Sequence, residues 1–205
     1  MKLYYAPGAC SLSPHIVAAE AGIALELEKV DLKTHKTERG EDYYAVNPKG
    51  YVPALRLDDG NVLTEGPAIV QYLADLRPQA GLAPPNGTLE RYRLQEWLHF
   101  IGTELHKQFA PIIGGKGSDA AQAEARAKIA KRLEYIDGQL AGRDYLLGAT
   151  FSAADAYLFV MLTWARLFKI DFASYANVRG FFERVAKRPK VQAALKSEGV
   201  LERAA

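Results

Sequence analysis

Between Arg77 and Gly87 the chain places Pro78, Gly81, Pro84, Pro85 and Gly87, and this breaker-rich interval separates two stretches of different periodicity. Before it, short β-branched or aromatic runs alternate with helical patterns; after about Thr88 every readable pattern is helical. The expected organisation is an α/β unit over 1–77, a linker over 78–87 and an all-helical unit over 88–205. A length of 205 residues suits one large domain or two small ones with cores of their own. With 49% hydrophobic residues and 26 basic against 24 acidic side chains, the chain is globular rather than disordered, and no basic stripe argues for nucleic acid.

No membrane partner is expected either. The charge-free run from Ala156 to Ala165 is far shorter than the roughly 20 apolar residues a membrane helix needs. Pro7 and Gly8 interrupt the N-terminus before a signal-peptide core forms, and Cys10, as the only cysteine, closes no intrachain disulfide. The cytoplasm is the expected compartment.

Lys2 to Tyr5 reads as a strand, Ser11 to Glu20 as a helix stopped at Gly22, and Leu25 to Val30 as a second strand. That spacing makes a βαβ unit with parallel pairing and a right-handed crossover. Asp31 to Gly50 is polar and reads as a long irregular connection. Val52 to Leu57 and Val62-Leu63 flank Asp58-Asp59-Gly60-Asn61, a hairpin signal, and Glu65 to Leu76 carries a helical apolar face. Beyond the linker, Leu94, Leu98, Ile101, Leu105 and Phe109 trace one long amphipathic helix, and Ala120 to Leu140 a second. Ser152 and Asp155 form a capping box ahead of Tyr157 to Leu167, which is too apolar for the surface. Val178 to Lys187 and Val191 to Lys196 are the last helices, with Pro189 as the break.

Cys10 follows the first strand and its Pro-Gly turn and precedes the first helix, where unpaired amides and the helix dipole favour a thiolate. A small buried hydrophobe is the other reading. Cys10-Ser11-Leu12-Ser13 has the layout of a redox C-x-x-C with serine in the second place, so it closes no internal disulfide but can bond an external thiol. Val52-Pro53 opens a strand, and a cis bond there would turn the Val52 amide and carbonyl outward toward an extended peptide; an ordinary trans proline fits the residues equally well. At Thr64-Glu65-Gly66-Pro67, exposed amides suit a carboxylate and Glu65 an ammonium, which together would hold an amino acid; simple helix capping by Glu65 is the alternative. His99, Thr103 and His106 lie off the apolar stripe, as cleft donors or as solvated surface groups. Seven residues of helix put the two histidines about 10 Å apart, too far to share a zinc, and no metal is expected.

Together these residues identify a family resemblance. Lys2 to Tyr5 with Pro7 to His15, Val46-Asn47-Pro48-Lys49-Gly50 with Val52-Pro53, Leu63 to Gly66 with Ile69 to Leu73, Glu104 to Lys107 and Ser152 to Phe159 closely resemble the bacterial cytosolic glutathione transferases of the beta class, from end to end of the chain. The resemblance implies a thioredoxin-like N-terminal domain (βαβ-ββα, mixed sheet) joined to a C-terminal helical bundle, in a homodimer. It places glutathione on the first domain and an apolar electrophile in the cleft between the two. It sets Cys10 beside the glutathione sulfur, Val52 against the cysteinyl backbone with Pro53 cis, and Glu65 and Gly66 at the γ-glutamyl end. Tyr5, Ser11, His106 and Lys107 would surround the thiol and the glycine end, and Glu104 would reach the partner's site. The family commonly has lysine and asparagine where this chain has His35 and His99, and these two are carried over as binding positions.

The expected reaction is conjugation, in which a glutathione thiol deprotonated near Cys10 and His106 attacks an electrophilic carbon. Moving that thiol about two units below its ordinary pKa near 8.5 requires roughly 2.7 kcal/mol of differential stabilisation. A Tyr5 or Ser11 hydroxyl is the other candidate for the catalytic group at the thiol, and two alternative functions stand beside conjugation. One is thiol–disulfide exchange or reductive dehalogenation through a Cys10–glutathione mixed disulfide, and the other is non-catalytic carriage of apolar ligands. Phe109, Ile112, Ile113, Trp164, Leu167 and Phe168 are candidates for the cosubstrate pocket, with Gly114-Gly115-Lys116-Gly117 as an adaptable loop beside it.

Overall fold

The computed structural model describes residues 1–115 and 117–203. The first unit contains β1 (Lys2–Tyr5), α1 (Leu12–Glu20), β2 (Glu26–Asp31), β3 (Lys36–Thr37), β4 (Ala54–Arg56), β5 (Val62–Thr64) and α2 (Gly66–Asp75). They form one mixed sheet in the order β3-β2-β1-β4-β5. β1 and β2 are parallel, with Lys2 opposite Glu26, and β1 runs antiparallel to β4, with Leu3 opposite Leu55. Period-two alternation sends Leu3 and Leu55 to one face, where they are buried with Leu12, Ile16, Ile69 and Leu73 of α1 and α2. Tyr4 and Ala54 point to the opposite face and pack with Val30, Tyr43 and Val52.

The stretch from 31 to 50 is more ordered than its polarity suggests. Lys36 and Thr37 pair with Asp31 and Val30 as an edge strand, and the Asp42 carboxylate accepts from the Tyr44 amide at 3.0 Å to start a short 3₁₀ turn. Burial of Tyr43 beneath this segment gives it the apolar anchor that the neighbouring Lys, Thr and Glu do not supply.

The second unit is helical: α3 (Leu89–Phe100), α4 (Asp119–Leu140), α5 (Ala153–Leu167), α6 (Ala176–Ala186) and α7 (Pro189–Ser197). Every residue of α5 from Ala153 to Ala165 is buried, as its apolar sequence requires. Pro189 opens α7 rather than lying in a break, because proline at the first helical position sacrifices only an amide that has no intrahelical partner. The stripe from Leu94 to Phe109 is buried throughout but does not run as one α-helix. After Phe100 the backbone widens to a π turn over Ile101–Leu105 and tightens to a 3₁₀ turn over His106–Phe109. Gly102 lowers the cost of that change, and the Thr103 hydroxyl donates to the His99 carbonyl at 3.0 Å, competing with the helical ladder. The wide turn keeps Ile101 and Leu105 in the core while re-aiming the residues between and after them.

One apolar core continues from the sheet into the helices, and polar clamps fasten the two units. Arg188 forks onto Glu20 at 2.7 and 2.8 Å and lies 4.2 Å over the Phe151 ring. Glu198 accepts from the Gly8 amide at 2.9 Å and lies 2.9 Å from His15 Nδ1, while the Trp164 indole donates to the Gly8 carbonyl at 2.7 Å. The β1–α1 turn is thereby held by residues near the far end of the chain.

Candidate active site

A cleft of about 590 Å³ opens where the β1–α1 turn, the start of β4, the start of α2 and the π turn meet. It brings together eight of the expected site residues: Cys10, Val52, Pro53, Glu65, Gly66, His99, His106 and Lys107. Tyr5, Ser11, His35 and Glu104 do not line it. Two larger clefts, of about 880 and 1050 Å³, are lined by neither cysteine nor histidine.

The β1–α1 turn presents Cys10. Ser11 is fully buried, its hydroxyl accepting from the Ala6 amide at 3.2 Å and donating to the Ala6 carbonyl at 3.3 Å, so it stitches the turn instead of facing a substrate. The Cys10 thiol donates to the Val52 carbonyl at 3.4 Å. Burial pushes this thiol up to about 12, outweighing the amides of Cys10 and Ser11 that pull it down. The expectation of a thiolate from the helix N-terminus is therefore corrected: a dipole contribution on the order of 0.3–1 kcal/mol is smaller than the cost of burying the charge.

The Val52–Pro53 peptide is cis. Glu65 takes a left-handed φ of 69° and makes no side-chain cap on α2. Its carboxylate instead accepts from Lys49 Nζ at 2.6 Å and from the Tyr51 hydroxyl at 2.7 Å, and these two hold it below the usual carboxylate range. Lys49 and Tyr51 are supporting residues that the sequence reading missed. Their signal was a cation and a phenol immediately ahead of the Val52-Pro53 turn. A side chain on Gly66 would meet only Pro53 Cγ, at 3.8 Å, so glycine keeps the cleft open here without being sterically required.

On the opposite wall, His99 is exposed with Nδ1 2.8 Å from the Gln95 carbonyl, and Lys107 is exposed. His106 Nδ1 lies 2.6 Å from the Tyr157 hydroxyl. Burial, then the neighbouring Lys107 charge, lowers the His106 imidazole to about 4, so it is neutral at physiological pH. Tyr157 sits in the most apolar helix, and its sequence context reads as core. A buried phenol nevertheless requires a hydrogen-bond partner, and that requirement was the available clue.

The remaining positions lie apart. Tyr5 packs half-buried against the core. His35 sits at φ 52° with Nδ1 3.0 Å from the Gly50 carbonyl and its ring 4.5 Å from Tyr44. Glu104 is ion-paired with Arg132 of its own chain at 2.6 Å. Phe109, Ile112 and Trp164 are core residues, while Ile113 and Leu167 are 39% and 48% exposed. None of these five, nor Phe168, lines the Cys10 cleft, where the apolar wall comes from Pro53, Pro67, Ala68 and Leu98. In the Gly114–Gly117 loop, Lys116 lies outside the described residues.

Residues 8–76 match the family described as glutathione S-transferase, N-terminal domain, and residues 100–189 match glutathione S-transferase, C-terminal domain. The chain is 46% identical over 200 residues to glutathione S-transferase GstA of Escherichia coli O157:H7, covering 98% of this chain and 100% of the relative. Two solved structures superpose with a TM-score of 0.94 at 50% identity, each over 98% of this chain and 100% of the other. One is a sphingomonad glutathione S-transferase complexed with glutathione, and the other is a bacterial beta class glutathione S-transferase from Sphingomonas chungbukensis.

Proposed function

The chain belongs to the glutathione S-transferase family, and from that premise we propose that it joins glutathione to apolar electrophiles in the cleft between β4, α2 and the π turn. The observation that carries this reading is the convergence on one cleft of a peptide edge at Val52-Pro53, an amino-acid end at Glu65-Gly66, and His106 and Lys107 across from them. Glutathione lies extended along the Val52 edge. Its α-ammonium meets Glu65, its α-carboxylate meets the Gly66 amide at the start of α2, and its thiol points to Cys10 and His106. The thiol proton leaves to water, a carbon–sulfur bond forms, and the bond from that carbon to its leaving group breaks with the electron pair. Pro53, Pro67, Ala68 and Leu98 supply an apolar wall for the electrophile.

Cys10 donates its single S–H to the Val52 carbonyl in the unliganded protein; once the glutathione backbone takes over that carbonyl, the S–H turns to the glutathione sulfur as one weak donor, not as a second nucleophile. A mixed-disulfide route needs the Cys10 thiolate, which burial disfavours in the unliganded protein. Initial rates of glutathione addition to a chlorodinitrobenzene between about pH 6 and 9 test the reading. The rate is expected to rise with an apparent pKa well below the 8.5 of a free thiol. It is expected to fall only a few-fold in Cys10→Ala but roughly a hundredfold in His106→Ala, as on removal of a donor aimed at developing charge. Glutathione binding without turnover would leave the carrier reading, and a covalent glutathione adduct on Cys10 would favour thiol exchange.

We further propose that the active form is a homodimer. Leu89, Tyr92 and Tyr135 are 64%, 59% and 49% exposed on α3 and α4, and Tyr135 adjoins an aromatic cluster with Trp97 and Phe100. Exposed apolar side chains of this size suit a subunit interface. Sedimentation is expected to give twice the 22.6 kDa chain mass, and Tyr92→Glu to shift the equilibrium toward single chains; a wild-type protein that sediments as one chain at micromolar concentration would refute the dimer. No helix among the described residues is long and apolar enough to cross a membrane, and the proposed setting is cytoplasmic removal of reactive electrophiles.

A further inference from the structure

We infer that Tyr157 is a positioning residue whose phenol donates to His106 Nδ1, fixing the imidazole as the Nε2–H tautomer, so that His106 meets the glutathione sulfur as a hydrogen-bond donor and not as a base. The inference rests on the transferase reading for what the ring faces, but the tautomer itself belongs to the unliganded protein.

The geometry leaves one arrangement that satisfies both groups. Tyr157 is only 4% exposed, and its hydroxyl has a single hydrogen-bond partner among the described residues, His106 Nδ1 at 2.6 Å. If Nδ1 carried the proton and donated to the phenol oxygen, the phenol's own hydrogen would have no protein acceptor among the described residues. If the phenol donates, both groups are satisfied and the ring proton is left on Nε2. Burial holds the phenol protonated and the imidazole neutral, which excludes an ionised pair, and the choice between the two neutral tautomers rests on the hydrogen-bond geometry.

The ring is also held in place. His106 stands edge-on to Tyr157, with centroids 5.8 Å apart and planes at 88°, and edge-on to Trp164, at 5.0 Å and 76°. Trp164 is itself tethered by its indole to the Gly8 carbonyl at 2.7 Å. Nε2 has no partner among the described residues, and His106 lines the cleft. The charged and titratable groups facing this ring are Lys107 on its own turn, Cys10 and Glu65 across the cleft, and Tyr157 on α5. With Nδ1 occupied and Nε2 protonated, no imidazole lone pair is available to take the thiol proton. That proton therefore goes to solvent, and Nε2–H stabilises the anion left behind.

Tyr157→Phe removes one oxygen from a buried site while keeping the ring. Nitrogen-15 NMR of the histidine rings in the unliganded protein is expected to show His106 as Nε2–H in the wild type and as a tautomer mixture in Tyr157→Phe. The ultraviolet thiolate band of bound glutathione, followed against pH, is expected to titrate higher in the variant by roughly half to one unit, with the glutathione Kd unchanged within about twofold. A wild-type His106 protonated on Nδ1, or a Tyr157→Phe protein with unaltered tautomer and thiol titration, would overturn the inference. If glutathione failed to bind the wild type, the transferase reading would fall by itself, and the tautomer measurement would still decide the role of Tyr157.

Discussion

Replacing Asp155 with alanine is expected to remove about 4 kcal/mol of stability at neutral pH, a large share of the 5–15 kcal/mol typical of a folded domain. Asp155 is fully buried at the start of α5, and its carboxylate accepts from the Leu146 amide at 2.8 Å, the Ser152 amide at 2.8 Å and the Ser152 hydroxyl at 2.6 Å. Alanine leaves both amides buried without partners, at about 1–3 kcal/mol each, and takes the acceptor away from the Ser152 hydroxyl. Because α5 is the buried centre of the helical unit, the loss should be global rather than local fraying.

The pH dependence of that loss has a definite sign. Burial raises the Asp155 carboxyl from its ordinary 3.8 to about 6, against the pull of the Leu146 and Ser152 donors. A carboxyl raised by folding gives its full stabilisation below the unfolded value and loses it as pH rises through the folded one. The gap between wild type and Asp155→Ala should therefore widen, by up to about 3 kcal/mol, as pH falls from 7 to 4. Paired urea titrations at the two pH values measure it. A gap that narrows on acidification would mean that the three donors, and not burial, dominate this carboxyl.

Replacing Glu65 with glutamine or alanine is expected to weaken glutathione binding by about 2–3 kcal/mol, roughly a hundredfold, with little change in thermal stability. The side chain is about half exposed (54%), so the fold gains little from its pair with Lys49. Its value lies in the carboxylate being already oriented by Lys49 and Tyr51 at the mouth of the cleft, where the ligand ammonium would complete the cluster. Glutamine keeps the shape and loses the charge, so it should bind nearly as weakly as alanine if charge-assisted hydrogen bonding is the cause. Since Lys49 and Tyr51 hold the Glu65 carboxyl below its ordinary 4.5, its contribution should persist above that value and fade only as pH drops through the lowered one. Calorimetric titration with glutathione reads both effects. Wild-type affinity in Glu65→Gln would move the ammonium site elsewhere.

Much of the scaffold around these residues is written in short-range patterns. β1, α1, the hairpin of β4 and β5, and the breaker-rich interval before α3 follow from alternation, helical period and turn chemistry within a dozen residues. β3 was not legible, because a strand of two residues has no period to read; Lys36 and Thr37 pair only because β2 offers an edge. The π turn was hidden for the opposite reason. Leu94 to Phe109 keeps its apolar stripe through the change of winding, so the pattern that announces the helix cannot report where it widens.

The same division runs through the site. Which side chains collect at the cleft was largely readable, because Cys10, Val52-Pro53 and Glu65-Gly66 each sit at the end of a strand or the start of a helix, where backbone groups are exposed in the thioredoxin-like plan. Their chemical state was not. Burial governs the Cys10 thiol and, with the Lys107 charge, the His106 imidazole, and their hydrogen-bond partners are a carbonyl 42 residues away and a hydroxyl 51 residues away on a helix that reads as pure core. Backbone conformation is set by neighbours along the chain, whereas protonation depends on the dielectric and partners that packing delivers, and those exist only once segments distant in sequence have packed together.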